Sequence, residues 1–409
     1  MSSGLILILA VAIAYLAARV AFDWLARRFL IVSGAEYLLL GILLGPQVAG
    51  ALSAETLAAF APLTTLSLGW IGAIVGMQFF LPGLVRIRAL IYKLAFAEAI
   101  GTLLLVGAAQ LAIAIWLFDL TLFDSLFPAL AFGAVAVASA PAGIEVVARR
   151  LSHRGPIVQQ LQVATAIDAL VAIGVIGILL CFGHPGDTST VRPITTTEWT
   201  VITIAIGVVG GSLFHLFLGS EHNPDRLFIS LAGAIILTSG AAAYLHLSPL
   251  FAAMVMGATL VNTSRNREDI ARTLHGVERP FYFVLLVFAG AAWEPGLRAW
   301  VVPVAVFLVV RISAKIGSAA LATRLSDAGA MLGTAWGRAL LGQGGLALAL
   351  ALEYMRLSGG VLANIVFTAA IASVLLTDFM SARIIHSVVA PLVRQKPGEI
   401  ASTAAAGDR

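Results

Sequence analysis

The feature of this sequence that most limits its fold is one acidic residue inside a segment long enough to cross a lipid bilayer. The segment from Val158 to Gly183 reads VQQLQVATAIDALVAIGVIGILLCFG, and Asp168 stands near its middle. At about 1.5 Å per residue, a helix that starts near Val158 places Asp168 about 15 Å deep, close to the midplane of the hydrocarbon core. A charge there is costly unless it is paired, coordinated or protonated, so Asp168 is predicted to be functional.

The composition agrees with a membrane protein. Hydrophobic residues make up 60% of the 409 residues and charged residues only 11%, which excludes a soluble globular domain of this length. The single cysteine, Cys181, lies in an apolar run, so a disulfide framework is excluded. We therefore predict an all-α polytopic protein with one transmembrane domain over residues 1–395 and a short polar tail over 396–409.

Apolar runs of about 17 to 25 residues predict about thirteen transmembrane helices. The first run has no basic residues before it, which favours a spanning helix over a signal peptide. The predicted spans cover residues 4–26, 30–46, 57–80, 90–117, 127–149, 157–183, 198–219, 226–246, 248–263, 280–294, 299–322, 332–354 and 360–390.

The basic residues in the connecting loops predict the topology. With the N-terminus outside, the outer loops hold only Arg192, Arg298 and Arg356, and one of them, Asp119 to Asp124, is acidic. The inner loops then hold Arg27, Arg28, Arg86, Arg88, Lys93, Arg149, Arg150, Arg154, Arg226, Arg265, Arg267, Arg272, Arg279, Arg324, Arg338, Arg394, Lys396 and Arg409. This asymmetry follows the positive-inside rule. We expect an integral protein of a bacterial inner membrane with its N-terminus outside and its C-terminus in the cytoplasm.

Two predicted spans are interrupted. The fifth contains AVASAPAGIEVV and the twelfth contains LLGQGGLALAL. The candidate break residues are Ala140, Pro141, Gly342, Gln343, Gly344 and Gly345. Proline and glycine are also common in membrane helices, so either break alone does not decide. Because the two spans are seven apart, they cross the membrane in opposite directions, and this arrangement indicates an inverted-repeat transporter with its ion site at the breaks.

Two basic residues lie inside the eleventh span, Arg311 and Lys315. Their i, i+4 spacing places them on one helix face, and Asp168 is their predicted acidic partner. The alternative is that Lys315 extends its ammonium to the inner interface and that only Arg311 is buried.

The other intramembrane acids are weaker candidates. Glu145 is predicted to pair near the inner face, and Glu353 and Asp378 are expected to have structural partners or water. Glu36 and Glu98 each stand about two turns from an inner end, where either could line a cytoplasmic funnel or form a local network.

The sequence contains no motif for other chemistry. It has no phosphate-binding loop, no HExxH motif and no paired cysteines, and its seven histidines are scattered. We therefore predict that the chain is not an enzyme, that it needs no cofactor, and that it does not bind nucleic acid.

Several segments resemble the cation:proton antiporter-2 family of sodium/proton and potassium/proton exchangers. In chain order they are LLLGILLGPQVAG (38–50), ASAPAGIEVVARRL (138–151), ATAIDALVAIG (164–174), LSPLFAAMVMGATLVN (247–262) and RPFYFVLLVFAGAAWE (279–294). Lys315, with the Ile and Gly that follow it, matches the membrane lysine of that family. These matches extend over nearly the whole chain.

The resemblance implies an inverted-repeat antiporter fold with two crossed, broken helices. It also implies a core bundle that moves against a dimerisation domain, and a homodimer. In that family Asp168 would be the carboxylate where cation and proton compete, and Lys315 its basic partner. The sequence departs from the family in that Ile167 and Ala169, rather than a second acid or an amide, flank Asp168. No nucleotide-binding regulatory domain is expected.

The leading hypothesis is therefore secondary exchange of a monovalent cation, sodium or potassium, for protons. Asp168 would supply the metal ligand, and Thr165, Ser139 and carbonyls at the first break could add others. One-for-one exchange is the simplest stoichiometry, but release of a proton by Lys315 would make the exchange electrogenic. Two alternatives remain: a transporter of an anionic solute on the same fold, and a non-transporting membrane subunit that responds to ions or pH.

Overall fold

The structure is a computed structural model that describes residues 35–85, 87–140, 144, 156–184, 194–218, 223–294, 300–326 and 334–394. The predicted first span, Pro141, Glu145 and the polar tail lie outside the described residues, as does the side chain of Asp378. Within the described ranges the regular structure is helical throughout, which confirms the predicted fold class.

The described helices follow the predicted spans closely. They are α1 (Ala35–Leu44), α2 (Ala54–Ala59), α3 (Ala61–Met77), α4 (Leu81–Leu84), α5 (Ala89–Phe118), α6 (Leu122–Val137), α7 (Pro156–Phe182), α8 (Thr196–Leu218), α9 (Pro224–Tyr244), α10 (Pro249–Thr263), α11 (Arg267–Gly276), α12 (Glu278–Ala291), α13 (Val301–Leu325), α14 (Gly344–Ser358) and α15 (Gly360–Arg394). A 3₁₀ helix, Trp336–Leu340, precedes α14.

Six of the described helices are long and apolar enough to cross a membrane: α5, α7, α8, α9, α13 and α15. Three shorter apolar helices, α3, α6 and α10, accompany them. In the lipid-facing positions of α8, large apolar side chains such as Val209 and Phe217 are exposed, as expected where the solvent is hydrocarbon.

The helices pack in two groups. The first bundle consists of α1, α3, α8, α9, α10 and α12, and the second bundle of α5, α6, α7, α13, α14 and α15. The two bundles meet where α7 and α14 of the second contact α8, α10 and α12 of the first. Every side chain of the candidate site belongs to the second bundle.

Glycines allow the central pair of the first bundle, α3 and α10, to lie in backbone contact. A methyl group at Gly76 would overlap the carbonyl oxygen of Met254, and one at Gly257 would overlap that of Ala73. In a membrane, where water does not drive helices together, such close approach supplies the dispersion contacts that hold them.

Two described helices lie wholly outside the predicted spans: the single-turn α4 and the longer α11. The segment between the ninth and tenth spans forms α11, which buries Ile270 and Leu274 and exposes Arg272. The indole of Trp70, near the middle of α3, donates a 3.0 Å hydrogen bond to the carbonyl of Leu274, which holds α11 against α3. Because α11 is short and polar on one face, a search for apolar spans does not find it.

We predict that Gly76→Ala destabilises the first bundle by about 1 to 3 kcal/mol, because the added methyl forces α3 and α10 apart. The apparent unfolding temperature in detergent should fall by several degrees. Gly233→Ala is the matched control, since a methyl at that position of α9 would meet no atom within 4 Å. Equal unfolding temperatures for the two variants would contradict the packing argument.

Candidate ion site at the helix breaks

The two predicted breaks lie against each other. After α6 ends at Val137, residues 138–140 are not helical, and neither are residues 341–343 before α14. The amide of Ala140 donates a 2.7 Å hydrogen bond to the carbonyl of Gly342, and the Ser139 hydroxyl donates one of 2.9 Å to the carbonyl of Leu340. Each break therefore supplies partners for backbone groups that the other leaves without helical bonds.

Glycine is required where α14 begins. Gly344 has a φ of +62°, and an added methyl there would lie 2.8 Å from the Cβ of Ala140. A methyl at Gly345 would overlap the ring of Tyr282. Gln343 is buried and donates to the carbonyl of Val135. Of the predicted break residues, all but Pro141, which lies outside the described residues, are thus placed at or beside the crossing.

Arg311 is bound to the backbone at both breaks. Its side chain is fully buried, and it donates hydrogen bonds to the carbonyls of Ala136 (3.1 Å), Ala138 (3.4 Å) and Leu341 (3.0 Å). Carbonyls at a helix C-terminus carry partial negative charge and lack intrahelical donors. A guanidinium, with its planar set of donors, can serve several of them at once. These contacts fix Arg311 at the crossing of the breaks.

Lys315 occupies the centre of the site. Its ammonium lies 2.7 Å from Oδ2 of Asp168 and 3.2 Å from Oε2 of Glu98, and all three side chains are fully buried. The alternative in which Lys315 reaches the membrane interface is therefore excluded. Asp168 is thus paired with Lys315. Lys315 lies on the same face of α13 as Arg311, one turn further along the helix.

The second carboxylate in this cluster comes from α5. Glu98 accepts a 2.7 Å hydrogen bond from Thr102 at Oε1, while its Oε2 faces Lys315. The sequence allowed two interpretations of Glu98, as part of a cytoplasmic funnel or of a local network. In the structure it lies in the cluster with Lys315 and Asp168. Its depth was an available signal: Glu98, Asp168 and Lys315 lie 8, 11 and 7 residues from the predicted inner ends of their helices, or about 10 to 17 Å, so their predicted depths are similar.

Only one of the two carboxylate oxygens of Asp168 has a described partner. Its Oδ1 is buried and has no hydrogen-bond partner among the described residues. Thr165, one turn earlier on α7, is also buried and donates its hydroxyl proton to the carbonyl of Gln162 at 2.8 Å. The hydroxyl oxygen of Thr165 retains its lone pairs, as does that of Ser139, so both can act as ligands.

Glu353, a weaker candidate for the ion site, links two helices through hydrogen bonds. Its carboxylate on α14 accepts hydrogen bonds of 3.0 Å from the Ser248 hydroxyl and 3.0 Å from the Leu250 amide at the N-terminus of α10. A carboxylate is favoured at the positive end of a helix dipole. The contact joins the second bundle to the first. Glu36 lies on α1, within the first bundle and away from this cluster.

The cluster does not match a tightly held metal centre. No group of three or more His, Cys, Asp or Glu side chains that could hold a metal occurs in the described part of the chain. What the cluster offers is one buried carboxylate with an oxygen that has no hydrogen-bond partner among the described residues, beside a buried ammonium.

Comparison with known proteins identifies a family that the sequence matches. Residues 75–390 match the model of a protein family described as sodium/hydrogen exchanger, transmembrane. None of the curated protein sequences matches the chain significantly.

Two solved structures of the sodium proton antiporter MjNhaP1 from Methanocaldococcus jannaschii share the fold. One, determined at pH 8, has a TM-score of 0.66 at 16% identity and covers 94% of this chain and 99% of its own. The other, an electron microscopy structure, has a TM-score of 0.64 at 16% identity and covers 97% of this chain and 100% of its own. The fold is thus that of an antiporter.

We predict that Arg311→Lys lowers stability by about 2 kcal/mol or more, because one ammonium cannot reach three carbonyls on two breaks and leaves buried acceptors without donors. Thermal unfolding in detergent measures the change. Arg324→Lys, at the exposed end of the same helix, should stay within about 0.5 kcal/mol of the unmodified protein. If both variants unfold at the same temperature, Arg311 does not hold the breaks.

Proposed function

Because the chain belongs to the transmembrane sodium/hydrogen exchanger family, we propose that it exchanges sodium ions for protons at a single site centred on Asp168. Membership makes the chain an integral membrane transporter of cations and protons, not an enzyme. It agrees with the resemblance seen in the sequence at the level of the cation:proton antiporter superfamily. The assignment to the antiporter-2 branch is finer than the family match supports.

One observation carries the proposal: the carboxylate of Asp168 is buried, with one oxygen bound to Lys315 and the other without a hydrogen-bond partner among the described residues. A desolvated carboxylate favours any cation that can reach it. Sodium at this carboxylate would displace the ammonium of Lys315, and a proton would neutralise the same group. Because both ligands need the same oxygens, only one can be bound at a time, and this competition is the basis of exchange.

The surroundings fit a small hard cation. The Thr165 hydroxyl oxygen and carbonyls near the first break are the expected additional ligands, since monovalent metal ions are bound by oxygen. The breaks are the place where irregular backbone at membrane depth is tolerated because it lines a cavity. Movement of the second bundle against the first would then expose the site to each side in turn.

The cation, the assembly and the orientation are parts of the same proposal. Sodium is proposed first because the matched family and MjNhaP1 are both named for sodium exchange, and potassium is the second candidate. We also propose a homodimer in a bacterial inner membrane, with the N-terminus outside, on the loop charges and the family resemblance.

The contacts of the two buried cations argue against an anionic solute. Arg311 donates to three backbone carbonyls, and Lys315 lies between two carboxylates. An anion entering this cluster would meet Asp168 and Glu98 and would have to break these contacts, at a cost that a cation avoids. The cluster therefore favours a cation as the solute.

We predict that Asp168→Asn abolishes exchange, because an amide cannot alternate between a charged and a protonated form. The measurement is dissipation of a preset pH difference in proteoliposomes on addition of sodium, potassium or lithium. The rate should fall to that of empty liposomes, whereas Asp269→Asn on α11, outside the site, should retain the unmodified rate. Substantial cation-driven proton flux through Asp168→Asn would contradict the proposal.

A single shared site also predicts competition at equilibrium. The apparent dissociation constant for sodium should rise about tenfold for each pH unit below the pH at which the site takes up its proton, because only the deprotonated carboxylate binds the cation. Binding of radioactive sodium to the detergent-solubilised protein across a pH series measures this slope. A dissociation constant that stays the same through the acidic range would mean that cation and proton bind at separate sites.

A further inference from the structure

Several hydrogen bonds between the two bundles lie near one end of the protein. In the proposed orientation this is the outer end, where α7, α9, α12 and α14 end and where α10 and α15 begin. The described contacts that cross between the bundles at this end are those of Glu353 with the start of α10, Trp293 with the hydroxyl of Thr368, Asn364 with the carbonyl of Glu294, and His184 with the carbonyl of Leu245.

The contact of Glu353 is fully buried and has two hydrogen bonds. Its side chain is 1% exposed, and its two oxygens accept from the Ser248 hydroxyl and the Leu250 amide, each at 3.0 Å. Ser248 in turn accepts from the amide of Phe251 as the N-cap of α10. Because the first amides of a helix have no partner within the helix, α10 of the first bundle depends here on a side chain of the second. Breaking this contact without water would leave buried polar groups unpaired, which is costly.

The helix α14 connects this contact to the candidate ion site. It begins at Gly344, beside the crossing of the two breaks, and carries Glu353 nine residues later, about 14 Å along the helix. Movement of the breaks with the second bundle therefore also moves Glu353. Ser248 and Leu250 belong to the first bundle, so a separation of the bundles at this end has to break the contact.

We propose that Glu353 and the N-terminus of α10 form an outer latch, which holds the two bundles together and has to open before the ion site is exposed to the outside. This inference takes from the proposed function only the movement of the second bundle against the first. Glu353 does not bind the cation. When the latch opens, water replaces the lost partners of the side chain and of the Leu250 amide, so the opening is reversible.

The single cysteine of the sequence, Cys181, lies where the opening can be followed. It stands one residue before the end of α7 and is 2% exposed. Its Sγ lies 3.7 Å from the hydroxyl of Thr203 on α8, and it packs with Leu247 and Ala252 of the first bundle. A reagent on the outside can therefore reach this thiol only when the second bundle separates from the first at the outer end.

The experiment measures how fast Cys181 reacts with a charged, membrane-impermeant methanethiosulfonate added to the outside of right-side-out membrane vesicles. The mass of the purified protein gives the labelled fraction, and labelling in sodium dodecyl sulfate gives the total. The labelling rate follows the fraction of molecules that are open. We expect Glu353→Met to be labelled about tenfold faster than the unmodified protein, because the Leu250 amide then has a partner only in the open state, where water reaches it.

Two further variants test the hydrogen bonds of the latch. Glu353→Gln keeps an oxygen that can accept from Leu250, and it should be labelled more slowly than Glu353→Met. Ser248→Ala removes one of the two hydrogen bonds and should be labelled about threefold faster than the unmodified protein. Ser248→Ala also tests the latch if Glu353→Met does not fold.

Two control variants leave the latch intact. Thr121→Ala removes the N-cap of α6 at the same end of the protein, where the described hydrogen bonds of Thr121 stay within the second bundle. Gly76→Ala destabilises the first bundle near its predicted inner end. Both should be labelled at the unmodified rate, which separates an open latch from a general loss of stability.

The outcomes separate this inference from the proposed function, because labelling needs no sodium flux. The latch would be overturned if Glu353→Met were labelled no faster than the unmodified protein, Glu353→Gln or either control variant. If Glu353→Met does not fold, equal labelling of Ser248→Ala and Thr121→Ala would overturn it. Faster labelling of the latch variants, without sodium-driven flux in the unmodified protein, would overturn only the proposed function.

Discussion

The structure depends on one ammonium buried between two carboxylates. Isolated charges at this depth are strongly disfavoured, so Lys315, Asp168 and Glu98 stabilise one another only because α5, α7 and α13 bring them within 2.7 to 3.2 Å. Two acids and one base leave the trio one negative charge in excess, and one carboxylate oxygen has no hydrogen-bond partner within the part of the chain that the structure describes. This arrangement is the basis of the proposal that the cluster binds a small cation or a proton.

The breaks solve a related problem with backbone groups. Two helices that stop inside the membrane expose carbonyls and amides that water cannot reach, and each unsatisfied group is expensive. Here the breaks bind each other through Ala140 and Gly342, and Arg311 donates to carbonyls of both. The buried arginine is thus a structural cation. The neighbouring lysine, one turn away, contacts Asp168 and Glu98 in the proposed ion site, so two cations that look alike in the sequence have different described partners.

The helices of the two bundles are held together in different ways, and this bears on which parts of the protein can move. The first bundle is held by glycine-mediated backbone contacts between α3 and α10, which favour a rigid unit. All groups of the proposed ion site belong to the second bundle, so the movement proposed for that bundle would leave the distances within the cluster unchanged. Glu353, which binds the N-terminus of α10 from α14, is a contact that such a movement would have to break or carry along.

Much of this architecture follows from local patterns. Apolar runs bounded by basic loops predicted the spans, because the length of a membrane helix is set by the thickness of the bilayer. Proline and glycine at matching positions predicted both breaks, and an acid at the middle of a long apolar span predicted Asp168 as the candidate carboxylate. The apolar runs did not predict the amphipathic helix α11, because its apolar face consists of only a few residues, among them Ile270 and Leu274.

The sequence by itself thus determined the fold class and the positions of the helix breaks, and it singled out Asp168 as the candidate carboxylate, since each of these is a property of one segment in a lipid environment. Only the tertiary structure decided which charges meet. Arg311 and Lys315 share a helix face, and their spacing does not predict that Arg311 binds backbone carbonyls whereas Lys315 binds carboxylates. Glu98 and Lys315 are 217 residues apart in the chain. Their contact exists because helix packing brings equal depths on different helices together, and that is a property of the assembled bundle.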